Sequence, residues 1–349
     1  MTGLNWRRIP LIRAQEAGLV GVLVALSLAF GALNSSFLTA DNIRNVFVAV
    51  AVVGIMSIGE SFVIMAGDID LSVGSVLGLS GLCAASVMAM GVPFWLAIPL
   101  GVGVGALCGL ATGLVVAFGK VSSFIVTLGM LSIARGLTYV ISGGLPIPAE
   151  GAVTFIGQGQ IYGLPAQVLV FVALVALGQF VLTRSVLGQR VIALGDNAEA
   201  ARLSGIPLTS TRVLVFVISG ACAGAAGIVY TSQVAVAEAQ AGTGLELDVI
   251  AAVVIGGASL SGGRGSIVGA MFGAYLLGAL RNAFILLELS PFLQQMSVGL
   301  VIVLAAVFDQ VRQGAFQRAR AGRDDLRRRF LGFDLGPRAK DGASKETAS

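Results

Sequence analysis

Apolar runs long enough to cross a bilayer take up nearly all of this chain. Of its 349 residues, 56% are hydrophobic and only 11% are charged. Soluble domains carry about 25% charged residues. Ten runs stand out: 17–33, 46–66, 71–90, 94–118, 122–141, 166–182, 213–230, 249–260, 266–287 and 292–308. A membrane helix needs about 20 apolar residues, so the pattern predicts an all-α, polytopic transmembrane helix bundle with about ten spans. The eighth run is the shortest and reads as a half-span or a re-entrant piece. The first run has no A-x-A pattern after it and reads as an uncleaved anchor.

Basic residues set the expected orientation. An even number of spans puts both termini on one side. That side collects Arg7, Arg8, Arg13, Lys120, Arg184, Arg190, Arg202, Arg212, Arg264 and ten more in the tail, 19 of the 22 Lys and Arg. The exceptions are Arg44, Arg135 and Arg281. The loops 142–165 and 231–248 contain no Lys or Arg. Both termini are therefore expected in the cytoplasm. The chain divides into a short segment 1–16, a membrane domain 17–309 and a basic tail 310–349. The tail, with Arg327, Arg328 and Arg329, reads as a topology-fixing segment with weak attraction to anionic lipid, not as a nucleic-acid site.

Several chemistries are excluded early. The chain has no histidine, so imidazole catalysis and His-ligated metals are absent. Cys83, Cys108 and Cys222 lie far apart in apolar runs and read as small buried residues. Gly257 to Arg264 has the glycine spacing of a phosphate loop, but Gly263 stands where its Lys belongs and Arg264 where its Ser/Thr belongs. No catalytic, cofactor or metal site is expected on this chain. Glycine instead reads as packing. Gly101, Gly105, Gly109 and Gly113 recur every four residues, a flat stripe that lets a neighbouring helix approach closely. Gly74/Gly78, Gly220/Gly224 and Gly269/Gly273 repeat the spacing. Pro99 is expected to kink the fourth span.

A polar island, Thr183 to Arg212, interrupts the apolar runs. Within it Asn197 is a good N-cap and Glu199 sits where the helix dipole favours an acid. Gly205 suits a left-handed C′ position, and Pro207 stops continuation. Residues 198–204 are thus predicted to form a two-turn helix exposed on the cytoplasmic side, a surface that a soluble partner can grip. Ionisable groups near the membrane each need a reason. Asp70 reads as a cap for the third span or as the shaper of a bend. Glu60 lies two turns inside the second span and is the stronger buried candidate, with Arg135 as the partner considered. Arg281 and Glu288 read as snorkelling side chains. Glu238, Glu246 and Asp248 read as an acidic outer surface or as solvated loop charges.

The motif Glu199-Ala200-Ala201-x-x-x-Gly205 resembles the E-A-A-x-x-x-G core of the cytoplasmic loop in ABC importer permeases, without the downstream Ile-x-Leu-Pro. The wider stretch from Gly195 to Ile206 is similar to the ribose-type monosaccharide branch of that family. So are Gly67-Asp68-Ile69-Asp70-Leu71-Ser72-Val73-Gly74-Ser75, Thr127-Leu128-Gly129 with Ala134-Arg135-Gly136, and Ile250 to Gly257 leading to Gly262-Gly263-Arg264-Gly265-Ser266. Asp68 departs from the pattern, which usually has a second glycine there.

The resemblance implies a bacterial inner-membrane permease subunit, without enzymatic activity of its own, that translocates a monosaccharide or related polyol. Asn197, Glu199, Ala200, Ala201, Arg202 and Gly205 would form the ATPase-coupling loop. Glu60, Gly67, Asp68, Asp70, Ser72 and Arg135 would belong to the pathway or its bend. The implied partners are an ABC ATPase, often a tandem chain, that holds ATP and Mg; a solute-binding protein; and a second permease subunit, identical or paralogous. No nucleic acid is implied. With only Trp6 and Trp95, the chain has few rings for sugar stacking, which suits a permease whose specificity resides in the delivery protein. The alternative is an ion-coupled secondary transporter of a small polar solute, with Glu60 as its candidate ion site.

Overall fold

The computed structural model describes residues 14–290, 292–301, 303–304 and 307. The basic tail 310–349 and the first 13 residues lie outside the described residues. The helices are, in order, α1 Ala14–Leu33, α2 Ala40–Met65, α3 Val73–Ala89, α4 Phe94–Gly119, α5 Ser123–Ser142, α6 Thr154–Gln158, α7 Ala166–Arg184, α8 Val186–Asp196, α9 Ala198–Leu203, α10 Leu208–Val234, α11 Leu245–Ile255, α12 Ile267–Leu286 and α13 Phe292–Val301.

Six of these, α2, α4, α5, α7, α10 and α12, are long and apolar enough to cross a membrane, and α1, α3 and α13 are shorter apolar helices. Helix boundaries follow local capping chemistry. α2 starts at Ala40, ahead of its apolar run, because Thr39 Oγ1 accepts from Asn42 N. α12 starts after Ser266, whose hydroxyl accepts from Gly269 N. α4 continues helically through Pro99.

The eighth apolar run is not one helix. α11 has 11 residues, about 17 Å at 1.5 Å per residue, roughly half the hydrocarbon thickness. It ends at Ile255 because Gly256 and Gly257 follow, the latter at φ +95°. The chain then descends as the loop 256–266, where Gly263 N donates to Met65 O at 2.9 Å at the end of α2.

The bundle is built around α10, which packs on α4, α2 and α3. Its seam with α4 is glycine against glycine. A Cβ on Gly105 would strike Gly220 O and come within 3.0 Å of the Gly224 Cα. One on Gly109 would strike Phe216 O, and one on Gly113 would lie 2.9 Å from the Val213 Cα. The predicted stripe therefore finds its partner in Gly220/Gly224. Gly227 repeats the arrangement against α3, at Leu77 O.

At the opposite end from α8 and α9, short strands close the bundle. Ile147–Pro148 pairs antiparallel with Val236–Ala237. Gln160–Ile161 and Leu164–Pro165 form a hairpin whose two-residue turn, Tyr162-Gly163, has positive φ at both positions, the usual geometry for a tight hairpin. We call this the ribbon end, and the end bearing α8 and α9 the handle end.

Two charge expectations are corrected here. Arg281 does not snorkel: it pairs with Asp248, whose side chain is 6% exposed. Asp248 therefore leaves the expected acidic surface and ties α11 to α12. Glu238 remains exposed and Glu246 is half-buried. The seam also generates a contrast in substitutions. Gly103 has open space where its Cβ would sit. Gly103→Ala is expected to hold or raise thermal stability, while Gly105→Ala lowers it by about 1–3 kcal/mol. Thermal unfolding of both variants in detergent checks this, and equal stability would mean that the seam is not tight.

Candidate coupling face

The polar island folds into two helices. Ser185 Oγ accepts from Gly188 N and starts α8. Asn197 Oδ1 accepts from Ala200 N at 2.9 Å and starts α9. Gly205 follows at φ +77°, and Ile206 N closes back on Ala201 O at 3.1 Å. Glu199 and Arg202 form a two-pronged ion pair, Nη2–Oε1 2.6 Å and Nε–Oε2 3.0 Å. Its hydrogen bonds hold the Glu199 carboxyl below its ordinary value. Only Ala201 of α9 is buried. Asn197, Glu199, Ala200, Arg202 and Gly205 are exposed, so the helix rests on one small side chain and presents the rest outward.

The sequence reading missed α8 as a helix, and α8 is the brace. Gly188 lies so close to Leu182 O that no Cβ fits. Val191 and Leu194 bury into a cluster with Phe62, Met65 and Ile267. Gly195 sits directly on Met65 O, and a Cβ there would lie 2.5 Å from Gly263 N. A Cβ on Gly263 would lie 2.7 Å from the Asp196 Cα, and one on Gly262 3.0 Å from the Gly67 Cα. Three segments thus meet backbone to backbone: the end of α8, the turn after α2, and the loop 256–266. The positive φ of Gly67, Gly262 and Gly263 (84°, 84° and 74°) marks why glycine is needed at the two turns. A further missed feature is Leu203, which is 75% exposed beside Arg202. An apolar side chain held out on a polar helix is a contact surface in search of a partner.

The turn between α2 and α3 carries the other candidate residues. Asp68 forms an ion pair with Arg212 at the start of α10, Nε–Oδ2 2.8 Å, without the alignment of a hydrogen bond. Burial pushes the Asp68 carboxyl up from its ordinary value, and Arg212 opposes that shift. Asp70 Oδ1 accepts from Ser72 N at 2.9 Å and Ser72 Oγ at 2.6 Å. Its Oδ2 accepts from Ser219 Oγ of α10 at 2.9 Å. Glu60 Oε1 accepts from Asp70 N at 3.2 Å, so Glu60, Asp70 and Ser72 form one buried unit. Asp70 therefore caps the turn before α3 and also bridges to α10.

Arg135 does not join them. It stands on α5 and donates to Ala239 O at 2.6 Å and Ala241 O at 2.9 Å, fixing the segment after the ribbon instead of pairing with Glu60. Its Nη1 makes both bonds, to carbonyls that sequence gives no way to place.

Comparison with known proteins bears on this face. The family model described as the permease component of branched-chain amino acid transport systems matches residues 42–306. The chain belongs to that permease family. The ribose import permease protein of Haemophilus influenzae is 39% identical over 292 residues, 82% of this chain and 90% of the relative. That of Bacillus subtilis is 40% identical over 291 residues, with the same two shares, 82% and 90%. The L-arabinose transport system permease protein of Escherichia coli is 36% identical over 301 residues, 86% of this chain and 92% of the relative. No solved structure matches significantly. This family member is a multi-pass helical membrane protein, and its Glu199-Ala200-Ala201-x-x-x-Gly205 motif falls on α9 and the turn after it.

The Glu60–Asp70 contact yields a test. Glu60→Gln keeps an acceptor for Asp70 N and should unfold within about 1 kcal/mol of wild type. Glu60→Ala strands a buried amide and should cost about 1–3 kcal/mol. Denaturation in detergent reads the difference. Equal losses in the two variants would mean that this bond does not hold the turn.

Proposed function

We propose that this chain is the translocation subunit of an ATP-driven importer of a monosaccharide, a pentose, hexose or related polyol. The observation that carries the reading is α9: an exposed, doubly capped helix whose only buried side chain is Ala201, braced through α8 on the end of α2 and on the loop 256–266. A partner pushing on α9 moves those segments with it, because backbone in direct contact has no slack. The sugar class rests on the ribose and arabinose relatives, which align over most of both chains. The broader family description names branched-chain amino acids, but the whole-length relatives are sugar permeases.

Under this reading the fuel is on a separate ABC ATPase, a tandem chain, that holds ATP and Mg and grips α9 around Glu199, Arg202 and Leu203. A solute-binding protein delivers the sugar at the ribbon end. A second permease subunit, identical or paralogous, completes the pathway. ATP-driven closure passes to the spans as rigid-body motion. The chain lies in a bacterial inner membrane and crosses it ten times, with α11 and the loop 256–266 together making the eighth crossing and both termini in the cytoplasm. The rival reading, an ion-coupled carrier, needs an available acidic site in mid-membrane. Glu60 is already committed to Asp70 N, and that reading leaves α9 without a role.

Orientation is tested by labelling. In a cysteine-free background, Ser204→Cys should react only with reagent supplied from the cytoplasm, and the fully exposed Tyr162→Cys only from outside. Labelling of both from one side would overturn the topology. Coupling is tested in proteoliposomes containing the ATPase. Glu199→Lys and Gly205→Pro should reduce uptake by about 5- to 150-fold, the range of coupling free energies, with insertion and thermal stability retained. Normal uptake by both variants at equal protein levels would remove the coupling assignment.

A further inference from the structure

One polar cavity belongs neither to the coupling face nor to the Glu60–Asp70 unit. It lies at the ribbon end between the first turns of α2, the end of α6 and the start of α7. Its volume is about 410 Å³, and Asp41, Arg44, Asn45, Gln158, Pro165 and Gln167 are among its lining residues. Pockets for small ligands run from about 300 to 1,000 Å³. Arg44 is one of the three basic residues outside the cytoplasmic set, and it forms no ion pair among the described residues, not even with Asp41 one turn away. Gln167 is 2% exposed, and its Oε1 has no hydrogen-bond partner. A buried amide left unsatisfied in this way needs an explanation.

Depth in the bilayer narrows the ligand. α2 has 26 residues, about 39 Å, against about 30 Å of hydrocarbon. Its first turns therefore stand in the headgroup layer. α7 has 19 residues, about 28 Å, so Pro165 and Gln167 mark the edge of the hydrocarbon. The neighbouring α2 side chains Ile43 and Phe47 are exposed and apolar. Further along α2 and α7, Phe47, Val50, Phe171 and Val175 border an apolar groove of about 280 Å³.

The chemistry calls for a ligand with an anionic and a donor-bearing end. A free guanidinium suits a phosphate. The Asp41 carboxylate suits N–H donors. No aromatic ring lines the cavity, which leaves a sugar without a stacking platform. A trimethylammonium has no N–H to give. We propose that this cavity seats the headgroup of a phosphoethanolamine lipid, phosphate on Arg44 and ammonium toward Asp41, with its acyl chains against the apolar surface below. The site does not depend on the sugar-import reading; the leaflet, the outer one, follows from the proposed orientation.

The test is native mass spectrometry of the full chain in neutral detergent. It is titrated with phosphatidylethanolamine, phosphatidylcholine and phosphatidylglycerol of matched acyl chains, and with soluble phosphoethanolamine. Phosphatidylethanolamine should bind about tenfold more tightly than either other lipid, as expected for charge-assisted hydrogen bonds. Arg44→Gln and Asp41→Asn should each remove most of that preference, while Lys120→Gln at the handle end leaves it intact. Both test residues lie toward the surface, and unchanged thermal midpoints would show that the variants are folded. Equal binding of the three lipids by the wild type, or an unaltered preference in both variants, would overturn the site. Soluble phosphoethanolamine binding where the lipid does not would overturn the lipid as its source.

Discussion

Two helices in lipid gain nothing by hiding leucines from each other, because the solvent is as apolar as the side chain. What holds them is close packing, and packing is closest where no Cβ intervenes. The seam between α4 and α10 expresses that constraint in its purest form here: Gly105, Gly109 and Gly113 on one side, Gly220 and Gly224 on the other, with backbone atoms where side chains would be. α10 then carries α2 and α3 on its remaining surface. Remove the seam and the helix that organises the bundle has no fixed place.

The same device recurs at the handle end for a different purpose. Gly195 on Met65 O, and Gly262 against Gly67, join three segments that are far apart in sequence. Side chains between them would act as springs, each with rotamers to absorb a displacement. Direct backbone contact leaves no such play. The coupling role proposed for α9 requires stiffness at this junction, and glycine supplies it by its absence of side chain. Polar bonds then fix orientation: Arg212 on Asp68, and Ser219 on Asp70, both tie the turn after α2 to α10.

Features encoded within a few residues were legible in the sequence. The cap at Asn197, the left-handed Gly205 and the stop at Pro207 outline α9 almost to the residue, because capping is a local hydrogen-bond problem. The stripe on α4 was visible through its period of four. What escaped was long-range. α8 is amphipathic and only 11 residues long, too short to read as a span, and so it merges into the polar island, although Ser185 three residues before Gly188 is a readable start signal. Asp248 looked like a surface acid because its partner, Arg281, is 33 residues away. Arg135 looked like a partner for Glu60 because both are charged and intramembrane. Its real acceptors are the carbonyls of Ala239 and Ala241, and carbonyls carry no signature in a one-letter string.

The split of the eighth apolar run follows from the same logic. An exposed break in a helix is forbidden in hydrocarbon, since each unsatisfied backbone group costs several kcal/mol. α11 can end at Ile255 because the loop that follows satisfies its backbone otherwise, partly within itself, with Ser259 N on Arg264 O and Gly262 N on Ser259 O, and partly on a neighbour, with Gly263 N on Met65 O. That loop is also the one in contact with α8. The place where the chain gives up regular structure is therefore the place that touches the end of α8. A continuous helix there would satisfy its own backbone and have no reason to grip Met65. The broken one takes one of its hydrogen bonds from Met65, and that bond ties the loop to the end of α2.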